Sequence, residues 1–126
     1  MSKILVIDDK RDNLVVVEAL LKNMLPECMV YSALSGPMGL EIAKDEEPDA
    51  ILLDIKMPGM DGYEVCSILK ENNSTKNIPI IMLTAAMTDS KSRIKGLELG
   101  ADAFLNKPIN AEELVAQVKV MLRIKS

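Results

Sequence analysis

Five short apolar runs, each followed by a segment of a different character, constrain this 126-residue chain more than any other feature. They are Lys3–Ile7, Cys28–Ala33, Ala50–Leu53, Pro79–Leu83 and Ala101–Leu105. Too short for helices and bounded by turn residues, they predict strands. Between the first two, Leu14, Val17, Leu21 and Met24 recur at the helical period, which predicts a helix from about Arg11 to Leu25 closed by Pro26. Ser35-Gly36-Pro37 is a helix-start signal, and the helix it opens runs to about Asp45. Asp61 with Glu64, and Asn110 with Glu113, have the spacing of capping boxes, which opens a third helix running to about Glu71 and a last helix carrying Leu114, Val118, Met121 and Leu122 on its apolar face. A fourth helix is expected over about Asp89 to Leu99, ended by Gly100 and weakened by Gly96 within it. Strict alternation of this kind implies an α/β fold, a parallel sheet covered by helices on both faces, in a single domain over residues 1–126.

Composition narrows the chemistry. The chain has no histidine, which removes histidine general bases, nucleophiles and metal ligands together. Nineteen acidic against fifteen basic residues give a net charge of -4, so direct nucleic-acid binding is not expected. No apolar stretch approaches the roughly 18 residues of a membrane span, and the N-terminus does not read as a signal peptide, so a cytoplasmic protein without membrane contact is expected. Cys28 and Cys66 have no metal-ligand spacing and read as free thiols.

The polar residues at the strand ends carry the functional signal. In an open parallel sheet, ligands bind beyond the carboxyl ends of the strands. Those ends here hold Asp8-Asp9, Ser32-Ala33, Asp54, Thr84 and Lys107. Three carboxylates on one rim repel by about 4 kcal/mol per close pair at an effective dielectric near 20, so positive charge must join them. Oxygen ligands without nitrogen or sulfur suit Mg²⁺, and Lys107 adds an ammonium. A metal, a lysine and a hydroxyl beside a carboxylate suit a phosphoryl group that the carboxylate attacks in line.

At this point the chain resembles the receiver domains of two-component response regulators, the CheY-like family. The resemblance rests on Asp8-Asp9, the string Asp54-Ile55-Lys56-Met57-Pro58-Gly59-Met60-Asp61-Gly62, Thr84-Ala85, Gly100-Ala101 and Lys107-Pro108, and covers Ile4 to about Leu122. It implies a doubly wound (βα)5 sandwich, flavodoxin-like, with strand order 2-1-3-4-5. It also implies that Asp54 is the phosphoacceptor and that Asp8, Asp9, Asp54 and the main-chain carbonyl of Lys56 serve the Mg²⁺, Asp8 mainly through water. Thr84 and Lys107 would contact the phosphoryl oxygens, Thr84 and Phe104 would form the switch, and the Lys107–Pro108 bond would be cis. The implied partners are a histidine kinase or phosphotransfer protein as donor and a downstream output domain or protein, with a phosphorylation-dependent dimer compatible with both.

On that reading the protein is a signalling switch rather than an enzyme, and the face made by the fourth helix, fifth strand and last helix changes when Asp54 is phosphorylated. Two alternatives stand beside it. Haloacid-dehalogenase-like phosphatases use similar groups, but place a second acid two residues after the nucleophile, where this chain has Lys56. A degenerate receiver acting only as an interaction module would be expected to lack one of the five groups.

Overall fold

The computed structural model describes residues 2–85 and 90–125. Its elements run β1 (Lys3–Ile7), α1 (Arg11–Met24), β2 (Met29–Ala33), α2 (Gly36–Glu46), β3 (Ala50–Asp54), α3 (Gly62–Glu71), β4 (Ile80–Thr84), α4 (Ser90–Glu98), β5 (Ala103–Asn106) and α5 (Ala111–Lys125). The strands hydrogen-bond in the order β2-β1-β3-β4-β5 and every neighbouring pair is parallel. The parallel sheet is the one expected from the alternation of elements, and its strand order is the flavodoxin-like, doubly wound one that the resemblance implies.

Side chains along each strand alternate between two cores, as the two-residue strand period requires. Ile4, Val6, Leu52, Ile81 and Leu83 pack with Leu14, Val17 and Leu21 of α1 and Leu114 and Val118 of α5. Leu5, Ile7, Ile51, Leu53 and Met82 pack on the other face with Ala43 of α2 and Val65, Cys66 and Leu69 of α3. Each fully buried Leu or Ile contributes roughly 1.5–3 kcal/mol, which is why β1, β3 and β4 read as continuous apolar runs rather than alternating ones.

Helix starts follow local chemistry. Ser35 accepts a hydrogen bond from the Met38 amide, Asp61 from the Glu64 amide and Asn110 from the Glu113 amide, each relieving an otherwise unpaired donor in the first turn. Gly100, expected at the end of the fourth helix, has a φ of 109°. The Asp89 start expected for that helix lies outside the described residues.

One packing expectation needs correction, and one glycine has a further reason to be there. Met24 was expected on the apolar face of α1 but is exposed, because the helix stops there. Leu25 turns inward in its place, its amide bonded to the Leu21 carbonyl at 2.7 Å. Gly96, expected only to weaken its helix, is buried. A Cβ there would lie 2.5 Å from the Phe104 ring, so the glycine makes room for that ring.

Gly62 has a sharper requirement. A Cβ on it would sit 2.4 Å from the Asp54 carbonyl oxygen and 2.8 Å from the Ile55 Cα, both backbone atoms that cannot swing aside. The missing side chain lets α3 begin directly on the end of β3, with the Gly62 amide bonded to the Ile55 carbonyl at 2.8 Å. Gly62→Ala is expected to destabilise the protein by about 3 kcal/mol, as overpacking against rigid atoms does, and urea unfolding measures it. A loss under about 0.5 kcal/mol, the range of ordinary surface substitutions, would show that the loop yields freely.

Candidate phosphoacceptor site

The strand order places β1 beside β3, with β2 on its other flank, so the chain direction across the sheet reverses at β1. Crevices form where such reversals occur. Ile7 is in register with Leu53, so the next residues, Asp8 and Asp54, emerge side by side at the carboxyl edge. Both carboxylates are buried, an expensive placement unless each is partnered.

Lys107 partners both. Its Nζ lies 2.8 Å from Asp54 Oδ1 and 3.1 Å from Asp8 Oδ2. The Lys107 amide donates to the Thr84 carbonyl at 2.7 Å, which ties the lysine's backbone to the end of β4; the Lys107–Pro108 peptide bond is cis. Asp8 is held further by the Lys10 amide on Oδ1 and by the Asn13 side-chain amide on Oδ2. Burial pushes the Asp54 carboxyl above its ordinary pKa; the Lys107 hydrogen bond opposes this and the Asp8 and Asp9 charges add to it. Burial works against the Lys107 ammonium, but Asp54 and Asp8 outweigh it and raise its pKa.

Asp9 is different. Its Oδ1 is the one buried side-chain oxygen among the described residues without a hydrogen-bond partner. Carboxylate oxygens of Asp8, Asp9 and Asp54 all lie within 4.8 Å of one another. An orphaned buried oxygen facing two further carboxylates fits a hard divalent cation, which takes oxygen ligands and tolerates water in the remaining positions.

Above Asp54 opens a cavity of ≈ 520 Å³ lined by Lys56, Met57, Asp61, Tyr63, Thr84 and Ser92 among others. Thr84, buried at the end of β4, and the exposed Lys56 thus share one hollow with Asp54. Phe104 does not line it. The ring is half-buried on β5, in register with Met82, and its tip rests on Gly96 of α4. Two contributors escaped the sequence reading. Asn13 lies in the first turn of α1, and its only signal was an amide five residues after an acid. Tyr63 immediately follows Asp61-Gly62 at the start of α3, within the capping string, where nothing local marks it for the site.

Residues 4–119 match the family described as response regulator receiver domain. The response regulator PleD of Caulobacter vibrioides is 44% identical over 124 residues, 98% of this chain and 27% of that protein. The chain therefore spans about a quarter of that relative's length. Among solved structures, the Vibrio cholerae chemotaxis protein CheY4 superposes with a TM-score of 0.89 at 30% identity, covering 97% of this chain and 99% of that one. The signal receiver domain of a signal transduction histidine kinase from Syntrophus aciditrophicus gives 0.86 at 29% identity, covering 98% and 91%. No helix among the described residues is long and apolar enough to cross a membrane. With the strand order, the acid pair at the end of β1 and the lysine-paired Asp54 at the end of β3 all in place, this chain belongs to the response regulator receiver domain family, a family of signalling domains.

Proposed function

We propose that this domain, residues 1–126, is a phosphorylation-dependent switch in which Asp54 accepts a phosphoryl group. The observation that carries the reading is the Asp54 carboxylate, 2.8 Å from the Lys107 ammonium, beside an acid cluster in which Asp9 Oδ1 is unpartnered. Asp8, Asp9, Asp54 and the Lys56 carbonyl would hold Mg²⁺, which when bound supplies positive charge against the phosphoryl oxygens. An Asp54 oxygen forms the new P–O bond while the donor's P–N bond, or P–O bond in a small acyl phosphate, breaks and its electron pair leaves with the donor. Lys107 offsets charge on the transferred group and the Thr84 hydroxyl donates a hydrogen bond to it. The chain has no histidine to act as its own donor, so the group comes from another domain, in keeping with a histidine kinase or phosphotransfer protein, or from a small acyl phosphate.

The phosphoryl group gives the Thr84 hydroxyl a charged acceptor and draws the end of β4 toward Asp54. The displacement reaches Phe104 through its Met82 neighbour and alters the face of α4, β5 and α5 that an output domain or protein, or a second copy, would read. The domain's own chemistry is confined to accepting this group and losing it to water. Intact mass after incubation with a small acyl phosphate tests the reading. One phosphoryl adduct is expected with Mg²⁺, forming about 10²-fold more slowly in chelator or in Asp9→Asn. Absence of the adduct on the wild-type chain would overturn the assignment, and equal rates with and without metal would remove Mg²⁺ from it.

A further inference from the structure

α4 is attached to the rest of the molecule in an unusual way. Its one buried residue is Gly96, and its large apolar side chains, Ile94 and Leu97, are 50% and 53% exposed. A helix that buries no apolar side chain of its own is held only by what other elements bring to it. Two aromatic residues do this. Phe104 of β5 places its ring on Gly96. Tyr63 of α3 reaches the helix as well, donating its hydroxyl to the Ser92 carbonyl at 3.2 Å and carrying the Lys95 Nζ 4.4 Å from its ring centroid. The chain has only three aromatic residues, so two of the three are spent on one nine-residue helix.

Tyr63 also lines the cavity above Asp54, as does Ser92, the residue it bonds. The same side chain therefore touches both the reaction hollow and the helix beyond it. We propose that Tyr63 is a second positioning residue of the switch: a latch that holds α4 in the arrangement in which Asp54 is a free carboxylate paired with Lys107, and that must open when the site is charged. This deepens the phosphoacceptor reading and rests on it. The hydroxyl-to-carbonyl bond and the cation over the ring are both made in the arrangement described, so both oppose departure from it.

Linkage fixes the sign. A contact that favours the resting arrangement weakens binding of whatever favours the other, and its removal strengthens that binding by the same factor. One hydrogen bond of typical net strength corresponds to about fivefold, and an exposed cation–π contact to about two- to fivefold.

The test is calorimetric titration of the Mg²⁺-loaded full chain with beryllium trifluoride, an anion that binds a carboxylate in the shape of a phosphoryl group. Tyr63→Phe, which keeps the ring and loses only the hydroxyl, is expected to bind it about fivefold more tightly than wild type. Lys95→Ala is expected to bind about twofold more tightly. Before any anion is added, amides of Ile94 to Glu98 should exchange hydrogen about fivefold faster in Tyr63→Phe. Tyr31→Phe, whose hydroxyl bonds Glu46 on the far side of the fold, serves as the control and should match wild type. A Tyr63→Phe protein with lowered thermal midpoint but unchanged or weaker anion binding would show a merely structural tyrosine and overturn the latch. If the wild-type chain binds no anion and takes no phosphoryl adduct, the phosphoacceptor reading itself fails, and the latch with it.

Discussion

Asp54→Asn is expected to take no phosphoryl group from a small acyl phosphate under conditions in which the wild-type chain is fully converted, as read by intact mass. An amide oxygen has neither the charge nor the nucleophilicity to displace the donor, and no other carboxylate shares both the cavity and the Lys107 contact in the same way. Asp61 also lines the cavity, but its side chain caps α3 through the Glu64 amide. The loss should not reflect unfolding. Burial and the neighbouring acids hold the Asp54 pKa above its ordinary value, so the fold disfavours the charged carboxylate. A neutral isostere relieves that cost at neutral pH, and the variant is expected to unfold at the same or a slightly higher urea concentration. An adduct of equal yield on Asp54→Asn would place the chemistry on another residue.

Lys107→Met should damage both stability and transfer. Removing the cation leaves Asp8 and Asp54 facing each other without compensation, in a place where both are nearly inaccessible to water. Breaking a fully buried pair costs about 3–5 kcal/mol. Lys107 retains 19% exposure, so solvent and counter-ions soften the loss to about 2–3 kcal/mol. The pH dependence follows from the sign of its shift. The folded pKa of Lys107 is raised, so its contribution is fully present below the ordinary lysine value and lost as pH rises through the folded one. The difference between wild type and variant should therefore be flat around neutrality and shrink as pH rises into alkali. Phosphoryl transfer should fall about 10²- to 10³-fold, the usual effect of deleting one preorganised charge donor. Equal stability of the two proteins in metal-free buffer would mean that the ion pair contributes nothing net.

Sequence reading reached most of the scaffold because the scaffold is built from local signals. Asp61, Ser35 and Asn110 start their helices through bonds spanning three residues, and such bonds are visible in any window of that length. Strand-end residues were legible for a related reason: one topology rule brings every carboxyl end to the same edge, so Asp8, Asp54, Thr84 and Lys107 could be grouped before any distance was known. What stayed hidden depends on who sits across the gap. Met24 and Leu25 are both apolar, and only the end of α1 decides which of them points inward. Gly96 reads as a weak point until the Phe104 ring is found resting on it. The bond from Tyr63 to Ser92 spans 29 residues and ends on a carbonyl, a partner with no sequence identity at all.

The Lys107 bridge has a further consequence, for the order in which the molecule is made. It joins residues 99 and 53 positions apart, and the strand that delivers it is the last of the five and lies at the sheet's edge. An N-terminal portion emerging from the ribosome already carries all three acids but lacks the ammonium that reconciles them. The protein's own cation reaches them when β5 docks on β4 and the Lys107 amide finds the Thr84 carbonyl. The site is thus completed only by the last strand, and a chain lacking residues from β5 onward holds the acids without their cation.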